Sequence, residues 1–282
     1  MKRLAYALSV LSILLIAGCS ESRKDKKGAG SDLKITIDTL TYDAWTPLYE
    51  GADCGFHMDM NIEWPTKAAT KEALENMQKS ITGLLFGSRL ATTDIQFAMN
   101  AYNTLSTELY FEHNDPEDEF QKELPSYIMD WSESKEGRFM EPYDGMVSYQ
   151  GYVHGYSGGA HGMDALNCIT FDMKTGEVIK STDLFKEDHE DRLIESLRAN
   201  LLCTVDDTEM LFEKDIYPVD NFYLTSKGIT YIYQRYEIGP YVLGIIEVTI
   251  PWKEIRDILK TEKHPADLLE TDRMNHNPII NN

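Results

Sequence analysis

The stretch from Phe56 to Trp64 constrains this chain more than any other. Phe56, Met58, Met60, Ile62 and Trp64 alternate with His57, Asp59, Asn61 and Glu63. Successive side chains of a strand point to opposite faces, so the segment is predicted to be a strand with one buried and one wet face. That is the habit of an antiparallel sheet. Pro65 is expected to end it. His57 then points to solvent or to an adjoining strand and is not read as a ligand. Leu33 to Leu40 carries the same alternation in Leu33, Ile35 and Ile37 and reads as a second strand.

The period then changes. From Thr66 to Phe86, Ala69, Ala73, Met77, Ile81, Leu84 and Leu85 fall at helical spacing, and Gly87 can close the helix. A second helix is predicted to start at Thr93 or Asp94, both good caps, with Ile95, Ala98, Met99, Tyr102, Leu105 and Leu109 as its stripe. These stripes are core positions. Glu112 to Glu123 is a charged loop, either a solvated excursion or an acidic lip around a binding surface.

Strands return at roughly Tyr127 to Ser132, Arg138 to Pro142 and Gly145 to Tyr156. Ile169, Phe171 and Met173 alternate with Thr170 and Asp172, a half-buried strand that turns at Lys174-Thr175-Gly176 into a return strand at Val178 and Ile179. Ser181, Thr182 and Asp183 offer caps for a helix after Phe185, with Leu193, Ile194, Leu197, Leu201 and Leu202 on its apolar face. Asn221 to Thr225, Ile229 to Tyr233 and Val242 to Ile250 are three further strands, the first two joined by a turn at Ser226-Lys227-Gly228. Trp252 to Leu259 is a last short helix. Strands grouped with strands and single interposed helices predict an α+β fold. Its antiparallel sheets carry helices on one face, in two intimately packed subdomains.

The start of the chain reads differently. Lys2 and Arg3, the apolar run LAYALSVLSILLIA and the box Ile16-Ala17-Gly18-Cys19 have the pattern of a lipoprotein signal peptide, with Cys19 the site of lipidation. The apolar run is shorter than the ~20 residues of a spanning helix, so the membrane is expected to hold this protein only through an N-terminal acyl chain such as palmitate. Residues 20–31 form a polar, locally basic tether. The remaining plan is an N-terminal α+β module at 32–124, a C-terminal α+β domain at 125–260, and a polar, loosely ordered tail at 261–282. The expected location is the cell envelope, at the outer membrane.

With 27 Lys and Arg against 47 Asp and Glu, the formal charge is -20, and the leader and tether are themselves net basic. Such a body repels nucleic acid, and it can steer a cationic partner. Apart from Cys19, the cysteines are Cys54, Cys168 and Cys203. Their odd number allows one disulfide and one free thiol, or three buried thiols. None sits in a Cys-x-x-Cys pair, and neither a metal nor another cofactor is called for.

Two clusters carry what chemistry the sequence offers. In the first, Tyr156-Ser157-Gly158-Gly159 leads to His161, with His154 and Asp164 close by. His161 could act as a general base oriented by Asp164, or share a metal with His154, but no nucleophile or third ligand stands at a diagnostic spacing. A tight glycine turn with a satisfied ring, or a partner-binding loop, accounts for the same residues, and no catalytic residue is assigned. The second cluster, Tyr231 to Tyr241, is rich in tyrosine, a residue enriched at interfaces. The candidate partner-binding residues are therefore Tyr156, Ser157, Gly158, Gly159 and His161 with Tyr233, Tyr236 and Tyr241.

The strings YSGGAH, FDMKTGEVIKSTDLF and NFYLTSKGITYIYQRYEIGPYVLGIIEVTIPW carry a resemblance. They resemble a domain family of unknown function found in the extracellular, lysozyme-binding region of RsiV-like anti-sigma factors. The same family forms the accessory region of PdaC-like peptidoglycan deacetylases. The resemblance spans Tyr127 to Leu259, and Leu33 to Asn114 is similar, less specifically, to the companion module. It implies helices packed on antiparallel sheet. The chain has neither an anti-sigma segment nor a deacetylase domain, so those activities do not carry over. What remains is a lipid-anchored envelope binding protein without catalytic activity, with a lysozyme-like muramidase as the implied partner. The alternatives are a peptidoglycan-binding or cell-wall-processing accessory factor, and a hydrolase using His161.

Overall fold

The computed structural model describes residues 34–260 except Pro116 and Glu213. The leader, Cys19, the tether and the tail lie outside the described residues. The strand expected from Phe56 is β2, Gly55–Lys67, paired antiparallel with β1, Thr36–Pro47. Met58, Met60 and Ile62 are fully buried, as the alternation requires. Pro65 does not end the strand. It stands opposite Ile37 at a register shift, beyond the last pair that β2 makes on its other side, so its missing N–H leaves no ladder bond unmade.

Helix α1, Lys71–Phe86, starts later than expected because residues 66–67 still belong to β2. The Thr70 hydroxyl accepts the Ala73 amide, and Gly87, at φ 90°, donates to the Gly83 carbonyl. Asp94 caps α2, Ile95–His113, by accepting the Phe97 amide. Its stripe is not the expected one. Ile95, Ala98 and Met99 are buried and Tyr102 packs on the core as expected, but Leu105 and Leu109 are half exposed, and the face toward the sheet continues from Tyr102 to Tyr110. Tyr110 stacks on Phe56 and donates to the Met129 carbonyl.

The charged stretch after α2 contains a turn of helix, α3, Glu119–Lys122. Another, α4, Ser126–Met129, stands where a strand was expected, with Pro125 at its start, a position that suits the fixed φ of proline. The two strands read from Tyr127 to Pro142 are one, β3, Trp131–Phe139. There follow β4, Met146–Tyr156, β5, Met163–Asp172, and the short β6, Val178–Ile179. These build a six-stranded sheet in the order β1 to β6. One seam, β2 against β3, is parallel, which the antiparallel expectation missed. A parallel neighbour needs a long crossover, and α1 to α4 supply it. One sheet therefore draws strands from both of the expected 32–124 and 125–260 segments.

The second layer begins with α5, Ser181–Leu184, built from the residues expected to cap a longer helix. That helix, α6, starts only at Glu190 and runs to Thr204, with Leu193, Leu197 and Leu201 buried and Leu202 exposed. A three-stranded antiparallel sheet follows: β7, Phe222–Leu224, β8, Gly228–Tyr233, and β9, Ile246–Pro251. The last strand starts later than expected because Tyr241–Leu243 forms a 3-10 turn closed by Gly244 at φ 72°. The chain continues into α7, Trp252–Ile255. Helix α6 and β8–β9 share one core through Ile229, Tyr231, Val248 and Ile250.

The layers stack as helices, large sheet, small sheet, helices. This explains why β5 is covered on both faces and not half-buried as expected. Phe171 packs toward α1, while Leu166 and Cys168 meet Ile232 of the small sheet. Strand β5 meets β6 only at Thr170 and Phe171, so the rest of that edge has no strand partner. Two side-chain amides fill it. Gln234 Oε1 accepts the Leu166 amide at 3.2 Å while its Nε2 donates to the Leu166 carbonyl at 2.8 Å. Asn221 Nδ2 donates to the same carbonyl at 2.9 Å and its Oδ1 accepts the Cys168 amide at 2.8 Å. Cys54 and Cys168 are buried and Cys203 is exposed, all as free thiols, which neither cysteine reading anticipated. Among the described residues no helix is long and apolar enough to cross a membrane.

Candidate functional site

The turn between β4 and β5 is made by Gly158 and Gly159, at φ 83° and 92°, a region that glycine enters without strain. A Cβ on Gly158 would also lie 3.0 Å from the Ile128 carbonyl oxygen of α4. Tyr156 closes the turn by donating its hydroxyl to the Gly159 carbonyl at 3.0 Å. Ser157 is exposed in the same turn. His161 Nδ1 lies 3.0 Å from the Gly162 carbonyl. A carbonyl only accepts, so this nitrogen carries the proton.

The second cluster reaches this turn from the small sheet. The Tyr241 ring stacks on His161 with centroids 4.0 Å apart, and its hydroxyl donates to the Gly162 carbonyl at 3.0 Å. Tyr236, at φ 65°, sits 5.9 Å from Tyr241 and is half exposed. Arg235 organises the group. Its guanidinium lies 4.3 Å from the Tyr241 ring centre, donates to the Tyr241 carbonyl at 2.7 Å, and binds Asp164 through Nε and Nη2.

The structure thus unites Tyr156, Gly158, Gly159, His161, Tyr236 and Tyr241. It leaves out Tyr233, which is buried in the core with its hydroxyl on the Tyr217 carbonyl, where burial pushes its phenol up. Asp164 does not orient His161. Hydrogen bonds from Arg235 and from the Tyr152 hydroxyl take up its carboxylate, and those from Arg235 do most to hold it below the usual carboxylate range. His154 is exposed on β4, its Nε2 only 2.7 Å from where a Cβ on Gly162 would stand. Among the described residues, no three His, Cys, Asp or Glu side chains gather as a metal site. Arg235 is the organising residue of this group that the sequence reading passed over. Its signal was a lone arginine among tyrosines, but its partner is 71 residues away.

Comparison with known proteins places the second layer first. Residues 182–253 match the model of a family described as "Protein of unknown function (DUF3298)". That span runs from α5 to the start of α7. No curated protein matches the chain. A solved DUF3298 family member from Bacteroides fragilis NCTC 9343 superposes with a TM-score of 0.71 at 23% identity, over 80% of this chain and 94% of that one. A DUF3298 family protein from Pseudomonas aeruginosa PAO1 superposes with a TM-score of 0.58 at 19% identity, over 82% and 97%. The second layer is therefore similar to the DUF3298 family over residues 182–253, and the chain has the fold of these two proteins.

Proposed function

We propose that this protein is a binding module of the cell envelope, held at the outer membrane by a lipid on Cys19 and acting without catalysis. The group formed by exposed His161 and Tyr236 around half-buried Tyr241 carries the reading. Arg235, itself held by Asp164, packs on the Tyr241 ring, and His161 and Tyr236 pack on Tyr241 in turn, so less side-chain freedom is lost when a partner covers them. The partner is a cationic protein of the lysozyme type. The formal charge of -20 supports long-range attraction to such a surface, and so does the resemblance to RsiV-like ectodomains. The test is direct binding of egg-white lysozyme to the purified full chain at low ionic strength. Binding that weakens with salt, and at least tenfold in Tyr236→Ala, is the expected result. Neither binding nor inhibition of the lysozyme would remove this partner. Labelled palmitate incorporated by the wild type and lost in Cys19→Ala checks the anchor.

The alternative of a hydrolase based on His161 draws no support from Asp164, whose carboxylate is taken by Arg235. The alternative of a glycan-binding accessory factor does find a specific observation, on a different part of the large sheet.

A further inference from the structure

The face of the large sheet turned away from α1 and α2 is covered by the small sheet only over part of β4 and β5, where Ser148, Gln150 and Thr170 are buried. Elsewhere it is open, and the register lines up its side chains in rows. One row crosses five strands: Asp43 opposite Asp59, Asp59 opposite Ser134, Ser134 opposite His154, and His154 opposite Asp164. Residues directly opposite one another share a face. Asp43, Asp59 and His154 are exposed. The adjoining row begins at Trp45 and passes through His57 and Ser132 to Tyr156.

Trp45 is the telling residue. Its indole is 48% exposed on the edge strand, yet it is seated. A Cβ on Gly55 would come within 2.9 Å of Trp45 Cζ2, and His57 meets the ring edge-on at 6.5 Å. His57 is held in turn by Asp43, whose carboxylate accepts from Nε2 at 2.9 Å. The open face thus offers a fixed aromatic plane beside short polar side chains on strands, with acceptors and donors interspersed. We propose that this face binds an extended, uncharged oligosaccharide lying across the strands, with one sugar ring on Trp45. Sugar rings present C–H faces that pack on an indole and hydroxyls that donate to carboxylates. Unpaired carboxylates such as Asp59 disfavour phosphorylated or sulfated chains. The open part of the row, Asp43 to His154, spans three inter-strand spacings, about 14 Å, which is long enough for several sugars, and it stops short of Asp164, whose carboxylate is taken by Arg235.

The Trp45 end of the site lies three strands away from the Tyr156 turn, so Trp45 and Tyr236 test the two readings separately. Isothermal titration of the purified full chain with chitotetraose and with cellotetraose tests it. At least one is expected to bind, at least tenfold more weakly in Trp45→Ala and in Asp59→Ala, with both variants melting like the wild type and heparin giving no heat. No binding of either tetrasaccharide overturns the proposal. So does unchanged affinity in both variants. Loss of lysozyme binding in Tyr236→Ala with tetrasaccharide binding intact would show that the two surfaces act independently.

Discussion

Both oxygens of the Asp164 carboxylate are held by the guanidinium of Arg235, 71 positions further along the chain. The pair sits at the end of β5 and fastens the small sheet to the large one where the backbone offers no ladder. Both side chains are largely shielded, so removing one partner strands the other charge. Arg235→Ala is expected to cost roughly 2 kcal/mol, measured as a shift in urea midpoint.

The same pair has a pH signature. The folded carboxyl of Asp164 lies below its ordinary value of 3.8, so the group stabilises the fold above that value. The contribution falls as the pH drops below about 4 and the carboxylate is protonated. The stability gap between wild type and Asp164→Asn should be full at neutral pH and shrink toward zero in acid. A gap independent of pH would refute the assignment.

Gln234 stands in for a strand at Leu166. Gln234→Ala leaves the Leu166 amide without an acceptor, while the Leu166 carbonyl keeps Asn221. The expected cost is about 1–3 kcal/mol. The sharper readout is hydrogen exchange, which should speed up at Leu166 in this variant and at Cys168 in Asn221→Ala.

Gly176 closes the turn after β5 at φ 70°, and a Cβ there would stand 2.1 Å from the Ala73 carbonyl oxygen in the first turn of α1. The obstacle is backbone, so no rotamer change relieves it. Gly176→Ala should destabilise by roughly 3 kcal/mol or more. A variant melting within a degree of the wild type would contradict the packing described.

The body thiols differ in access. Cys203 is exposed, while burial pushes the Cys168 thiol up to about 12 and also raises that of Cys54. Brief alkylation of the native protein followed by peptide mapping should modify Cys203 and spare the other two, which should react only after unfolding.

Local pattern carried the sequence reading as far as local forces decide the structure. The alternation around Met60, the cap at Asp94 and the turn at Gly176 each depend on near neighbours, and each could be read. The position of Pro65 could not, because what spares it is where β3 stops pairing. The burial of Tyr110 in place of Leu105 depends on Phe56 and Met129, which the helix pattern does not contain. The site divided in the same way: its glycine turn was legible, but the joining of Asp164 to Arg235 and of His161 to Tyr241 comes from how two sheets stack. Tyr233, one of the tyrosines in the same string, faces the core because strand alternation turns it inward with Tyr231.

The parallel seam between β2 and β3 has a consequence for dissection. The hairpin of β1 and β2 reaches the rest of the sheet only along that seam, at the end of a long helical connection. A chain cut between 124 and 125 would therefore present β3 as a raw edge, with unpaired amides and carbonyls ready to accept a strand from elsewhere. The hairpin of a second molecule is the strand best shaped for that edge, so separately expressed halves should find each other, and crowded whole chains have a ready route to exchanging them.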